Sequence, residues 1–153
     1  MSETIYEALR DSHTEQRALC RKLLRSPPHT DTRRSLFTAL RIELAAHAAA
    51  EERFLYVPMM LKDDMGLNSS RHALHEHHQI DELIEDMQSL DRSGDAWMAK
   101  AKELSHKVHH HLREEEKKFF QVSGKVLGDG QKTKLAKQYR RDFVRMKESL
   151  AAG

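Results

Sequence analysis

Four stretches of this 153-residue chain carry an apolar stripe at alternating steps of three and four residues, and each stripe passes through a histidine. The first reads Tyr6, Leu9, His13, Gln16, Cys20, Leu23, and the second Leu36, Leu40, Leu44, His47, Glu51, Leu55, Pro58. The third reads Ala73, His77, Ile80, Ile84, Met87, and the fourth Trp97, Ala101, Leu104, Val108, His111, Glu115, Phe119, Val122. Steps of three and four mark an α-helix with one buried face. Four such helices on short connections pack as an antiparallel up-down-up-down four-helix bundle, so the fold class is all-α. In the second and fourth stripes the histidine is followed four residues later by a glutamate, which sets ionisable groups where the pattern demands core.

Caps and breakers place the limits. Thr4-Ile5-Tyr6-Glu7 is a capping box that opens the first helix, and Pro27-Pro28 closes it at about Ser26. The second helix is expected from Thr30 or Asp31 to about Lys62, bent by Pro58. Gly66-Leu67-Asn68-Ser69 reads as a turn with caps for a third helix reaching about Asp91. Ser93-Gly94-Asp95 opens a fourth, continuing to about Ser123, after which Gly124, Gly128 and Gly130 break the pattern. A fifth helix, from about Gln131 to Leu150, has an apolar stripe (Leu135, Tyr139, Phe143, Met146, Leu150) and a basic solvated face. The expected organisation is a bundle over residues 1–123, with residues 124–153 forming a C-terminal amphipathic helix packed on it within one domain.

An ionised carboxylate or an unpaired imidazole inside a bundle is costly unless it is paired or bound to metal. Two His-x-x-x-Glu pairs and two further histidines on inward faces are hard to satisfy by hydrogen bonds alone. Residues four apart lie about 6 Å apart along a helix, close enough to serve one cluster. The candidate metal ligands are therefore His13, His47, Glu51, His77, His111 and Glu115. Helix phase selects them over their neighbours: His78 shares a stripe with Asp81 and Glu85, and His110 with Glu103, Lys107 and Glu114. Imidazole with carboxylate suits iron, zinc or manganese, and a single cysteine argues against structural zinc and iron–sulfur sites. His72, His75, His78, His106, His109 and His110 are read as surface residues or as groups that orient ligands, Cys20 as a small core residue, and Tyr6 and Tyr56 as core aromatics. Glu52 and Glu116 fall just off the ligand stripe and are expected to be solvated or paired.

The segments His47-Ala-Ala-Ala-Glu51-Glu52-Arg-Phe-Leu55-Tyr56-Val-Pro58 and His110-His111-Leu-Arg-Glu114-Glu115-Glu116-Lys-Lys-Phe119-Phe120 resemble the two signature segments of hemerythrin-like (HHE cation-binding) domains. Glu76-His77 with Ile80 resembles that family's third-helix motif, and Asp11-Ser-His13 its first, so the resemblance covers residues 4–122 or thereabouts. It implies two iron ions bridged by carboxylates, with an oxo or hydroxo bridge between them, and a role in handling dioxygen, nitric oxide or iron. Two features depart from the oxygen carriers of the family. Their fifth histidine, one turn before the third-helix ligand, is Ala73 here, and their second bridging carboxylate, an Asp five residues after its histidine, is Glu115 after four. Four histidines divide as His13 with His47 for one iron and His77 with His111 for the other, leaving each an open position. Sensing, scavenging or modest redox chemistry is then favoured over reversible oxygen carriage.

Composition narrows the rest. With 39% hydrophobic and 33% charged residues and a net charge of +2, the chain resembles neither a nucleic-acid binder nor a membrane protein. The N-terminus is charged from Glu3 onward and no apolar run approaches the roughly 20 residues needed to span a bilayer, so a cytoplasmic location is expected. The expected partners are a small diatomic molecule or peroxide, and a separate protein if the chain signals. Two functions compete: a di-iron protein that senses, binds or scavenges such a ligand or buffers iron, and a di-iron redox enzyme that reduces peroxide or nitric oxide. A ferritin-like ferroxidase would need Glu-x-x-His on two helices, whereas the chain offers only Glu103-Leu-Ser-His106, off the inner stripe.

Overall fold

The computed structural model describes residues 2–62 and 64–153, and of Met65 the backbone alone. Helix α1 spans Ile5–Arg25. Helix α2 runs over Asp31–Glu51, widens into a π turn at Glu52–Tyr56 and resumes as Val57–Met60. Helix α3 is Asp64–Gln88. Helix α4 repeats the layout of α2: Asp95–Glu114, a π turn at Glu115–Phe119, then Phe120–Val126. Helix α5, Asp129–Ala152, packs along α1 and α2. The described residues contain no strand, and the architecture is the all-α bundle with an additional C-terminal helix.

The ends follow local chemistry. Thr4 accepts from the Glu7 amide while Glu7 accepts from the Thr4 amide, completing the capping box. The Thr30 hydroxyl caps α2 through the Arg33 amide. Three expected breaks are absent, one of them at Gly130, which lies in the first turn of α5. Gly66–Ser69 lies inside α3 instead of forming a turn ahead of it. Gly66 is buried, and the Ser70 hydroxyl donates to the Tyr56 carbonyl at 3.3 Å, so tertiary contact holds this turn helical against weak local propensity. Gly124 likewise stays helical, its carbonyl accepting from Lys132 Nζ at 2.9 Å. The chain turns instead at Leu127, which is extended and buried.

Arg33 closes one end of the bundle. Only 4% exposed, it donates to the Ser26 carbonyl and hydroxyl and to the Arg92 carbonyl, and its guanidinium lies 5.1 Å from the centre of the Trp97 ring. The buried apolar side chains fall into two clusters. One gathers Leu19, Leu23, Leu40, Ile84, Trp97 and Leu104 among others, and the other Ile5, Leu9, Leu55, Met59, Phe119 and Tyr139. On α1, α2 and α3 a site histidine stands between them in sequence, and on α4 His111 lies at the boundary, one residue before Leu112 of the first cluster.

Candidate metal centre

The bundle brings all six candidate side chains together, none more than 6% exposed. They form two overlapping groups, His13 with His47 and His77 with His111, and both groups include Glu51 and Glu115. Within each group one potential ligand atom per residue lies within 4.8 Å of every other. His13 Nε2 stands 3.2 Å from Glu115, and His47 and His77 Nε2 each stand 3.3 Å from Glu51. His111 Nε2 is 3.7 Å from Glu115. The helix phase separates neighbours as the stripes require: His78 and His110 are exposed, pairing with Glu82 and Glu114 on their own helices.

Every ring is held from behind. His13 Nδ1 meets Glu116 at 2.7 Å, His77 Nδ1 meets Glu52 at 2.9 Å, and His111 Nδ1 meets Glu76 at 2.8 Å. His47 Nδ1 meets the Tyr139 hydroxyl at 2.8 Å. A carboxylate behind the ring accepts a hydrogen bond from Nδ1–H, which fixes the ring's orientation and, in the neutral imidazole that binds metal, leaves the Nε2 lone pair aimed inward. Glu52 and Glu116 are thus paired, and paired to the centre. Arg17 braces Glu116 with two hydrogen bonds of 2.9 and 3.2 Å. The π turns matter here. Each begins at or just after a site glutamate, and the extra residue re-phases the next helical turn so that Leu55 and Tyr56, and Phe119 and Phe120, all face inward. Tyr56 accordingly does more than fill the core: its hydroxyl donates to Glu51 at 2.8 Å and is equally within reach of Glu115.

The electrostatics are those of a cage built around positive charge. Burial opposes an imidazolium at His13, yet Glu115 and Glu116 outweigh it and raise its pKa to about 9. Burial likewise opposes charge on His77, but Glu51 and Glu52 raise it to about 10. Burial pushes the Glu51 carboxyl up, and the adjacent His47 and His77 hold it well below the ordinary carboxylate range. Tyr56 is driven the other way, kept protonated by burial and by the charges of Glu115 and Glu51.

Hydrogen bonds leave the cage incomplete. The buried atoms His13 Nε2, His47 Nε2, His111 Nε2, Glu51 Oε2 and Glu115 Oε1 have no hydrogen-bond partner among the described residues. Tyr56 has one proton to share between two carboxylates. Orphaned buried polar atoms of this kind are costly, and here they converge from the helices of the bundle. Imidazole nitrogens and carboxylate oxygens are the donor set that divalent first-row metals take, so the residues present fit such ions.

Fold and site together define a helical bundle closed around a buried His/carboxylate cage for metal cations. The family profile described as Hemerythrin HHE cation binding domain matches residues 4–122. The chain belongs to that family. A crystal structure of a hemerythrin HHE cation binding domain-containing protein from Mycobacterium kansasii shares the fold, with a TM-score of 0.83 at 22% identity over 96% of this chain and 89% of that one. Among curated proteins, none matches the chain.

Tyr139, on the helix beyond the family match, escaped the sequence reading because its place in an apolar stripe concealed the hydroxyl's reach to His47. The spacing of Glu52 and Glu116 one residue after Glu51 and Glu115 was the available signal for the groups behind His77 and His13.

Proposed function

We propose that the chain is a non-haem di-iron protein that binds, senses or scavenges dioxygen, nitric oxide or peroxide. In this reading His13 and His47 hold one iron, His77 and His111 the other, and Glu51 and Glu115 serve both. The observation that carries it is the pair of overlapping ligand groups sharing two carboxylates, with orphaned nitrogens and oxygens facing one another. Bound iron would supply a redox-active Lewis acid with room for a small exogenous ligand.

The residues argue for that room. Ala73 lies one turn before His77, buried, where a fifth imidazole would otherwise compete for iron. It lines a cavity of about 300 Å³ that also reaches His111 and Glu115. Phe119 and Val122 give this cavity an apolar wall, suited to a small uncharged ligand. On the opposite side, Phe120 stacks on His13 with ring centres 6.0 Å apart, and Tyr139 packs edge-on against His47.

Metal analysis with an optical spectrum of protein purified aerobically without chelator tests the proposal. About two iron per chain are expected, with near-ultraviolet charge-transfer bands from a bridged ferric pair. One tightly held zinc and no iron after growth in iron-replete medium would refute it. Turnover with an electron donor and peroxide or nitric oxide, against single-equivalent binding, separates the enzyme from the binding protein.

A further inference from the structure

We infer that His72, Glu76 and Glu114 form an outer divalent-cation site through which metal reaches the buried centre. The three residues each offer one ligand atom, and these atoms lie within 4.8 Å of one another. His72 Nε2 is 3.6 Å from Glu76 Oε1 and 3.4 Å from Glu114 Oε1. His72 and Glu76 repeat, on α3, the His-x-x-x-Glu spacing of the two central pairs. The site is graded in depth: His72 is exposed, Glu114 half-buried and Glu76 only 4% exposed.

Position gives the triad its role. All three residues line the 300 Å³ cavity that reaches His111 and Glu115 past Ala73. A second crevice that touches the centre, between Ala48 and Asp81, holds about 10 Å³ and is too narrow to be a route. Glu76 belongs to both ends, since the oxygen that faces His72 also accepts from His111 Nδ1 at 2.8 Å. Glu114 adjoins Glu115 in the chain. A cation caught at the rim therefore sits one side chain from a central imidazole. Lys107, 4.0 Å from Glu76, and Lys118 on the cavity wall oppose it, and only three protein ligands are offered. Binding is accordingly weak, as a staging point requires: metal held tightly there would not move on.

The outer site stands independently of which metal fills the centre, whereas its role as a way in rests on the proposed iron centre. Cobalt(II) titration of the iron-loaded protein, followed by absorption and calorimetry, should show about one further weakly bound equivalent. That equivalent should vanish in His72→Ala and Glu114→Gln and persist in His78→Ala, whose histidine pairs with Glu82 away from the cavity. No further cobalt in the wild type, or a cobalt equivalent that survives both triad variants, overturns the site. Ferrous iron uptake by metal-stripped protein should be several-fold slower in His72→Ala and Glu114→Gln, with the same final iron and helix content. Uptake at the wild-type rate overturns the route. A wild type that takes up no iron refutes the buried iron centre instead, and the same cobalt titration, run on the protein with whatever metal it holds as purified, then decides the outer site alone through its loss or survival in His72→Ala and Glu114→Gln.

Discussion

Each histidine of the centre works through two nitrogens, one turned inward and one tied to a named partner behind it. Replacing the partner while keeping its shape tests that division. In Glu116→Gln the carboxylate that holds His13 Nδ1–H becomes an amide, and Arg17 loses its ion pair. Metal affinity should fall about 10- to 100-fold, read by competition with a chelator, while helix content is unchanged. Wild-type affinity would show that the ring needs no brace. Cys20 makes a contrasting case. Burial pushes its thiol up to about 12, the Ser105 hydrogen bond opposing only in part. The folded chain thus keeps a neutral thiol while an unfolded one ionises above about 9, so this contribution to stability is intact below pH 9 and declines from there towards 12. At pH 8 a thiol reagent should label Cys20 only as fast as the protein unfolds, and rapid labelling of native protein would disprove this. At this scale the sequence was legible where one helix decides the outcome. A step of one residue separates buried His77 from exposed His78, because turning about 100° leaves the core. It was illegible where a long side chain crosses to another helix, as Tyr139 does to His47.

The helices themselves were legible through periodicity and caps, and their interruptions were not. A π turn has no residue signature of its own, since the wider turn is selected by what it lets the flanking side chains reach. In α2 the widening sits just ahead of Pro58, whose ring has no N–H to donate and crowds the preceding turn of a regular helix. Gly66 and Gly124 misled for the complementary reason: a glycine lowers helix propensity by about 1 kcal/mol, which packing and a single tertiary hydrogen bond can override. Between elements, Arg33 is the fastener, satisfying carbonyls at the end of α1 and in the α3–α4 connection. Arg33→Met would keep the packing against Trp97 but orphan those carbonyls. A loss of about 2–3 kcal/mol in chemical denaturation is expected, and a loss below about 0.5 kcal/mol would deny it that role.

Over the whole molecule, charge and stability are linked through the cage. In the metal-free chain His13 and His77 titrate at about 9 and about 10, above the ordinary 6.5. The stability that their imidazolium–carboxylate pairs supply is complete below pH 6.5 and is lost as pH rises through 9 to 10. Metal ligation asks for the opposite state, neutral imidazole, so acid weakens metal binding and with it the stability metal confers. Melting temperature against pH should therefore fall with rising pH in stripped protein and fall with acidification in loaded protein. Parallel profiles would separate the cage from stability altogether.

The two apolar clusters that flank this layer have a consequence for motion. Each has its own large buried side chains, Trp97 at one end and Tyr56, Met59 and Tyr139 at the other, and the ionisable layer between them is a natural cleavage plane for partial opening. Amide hydrogen exchange of stripped protein should thus resolve two groups of protons that open with different free energies, one in each end of the same continuous helices. With metal in place the groups should merge into one, because two ions that share Glu51 and Glu115 would together tie all four helices and let neither end open alone.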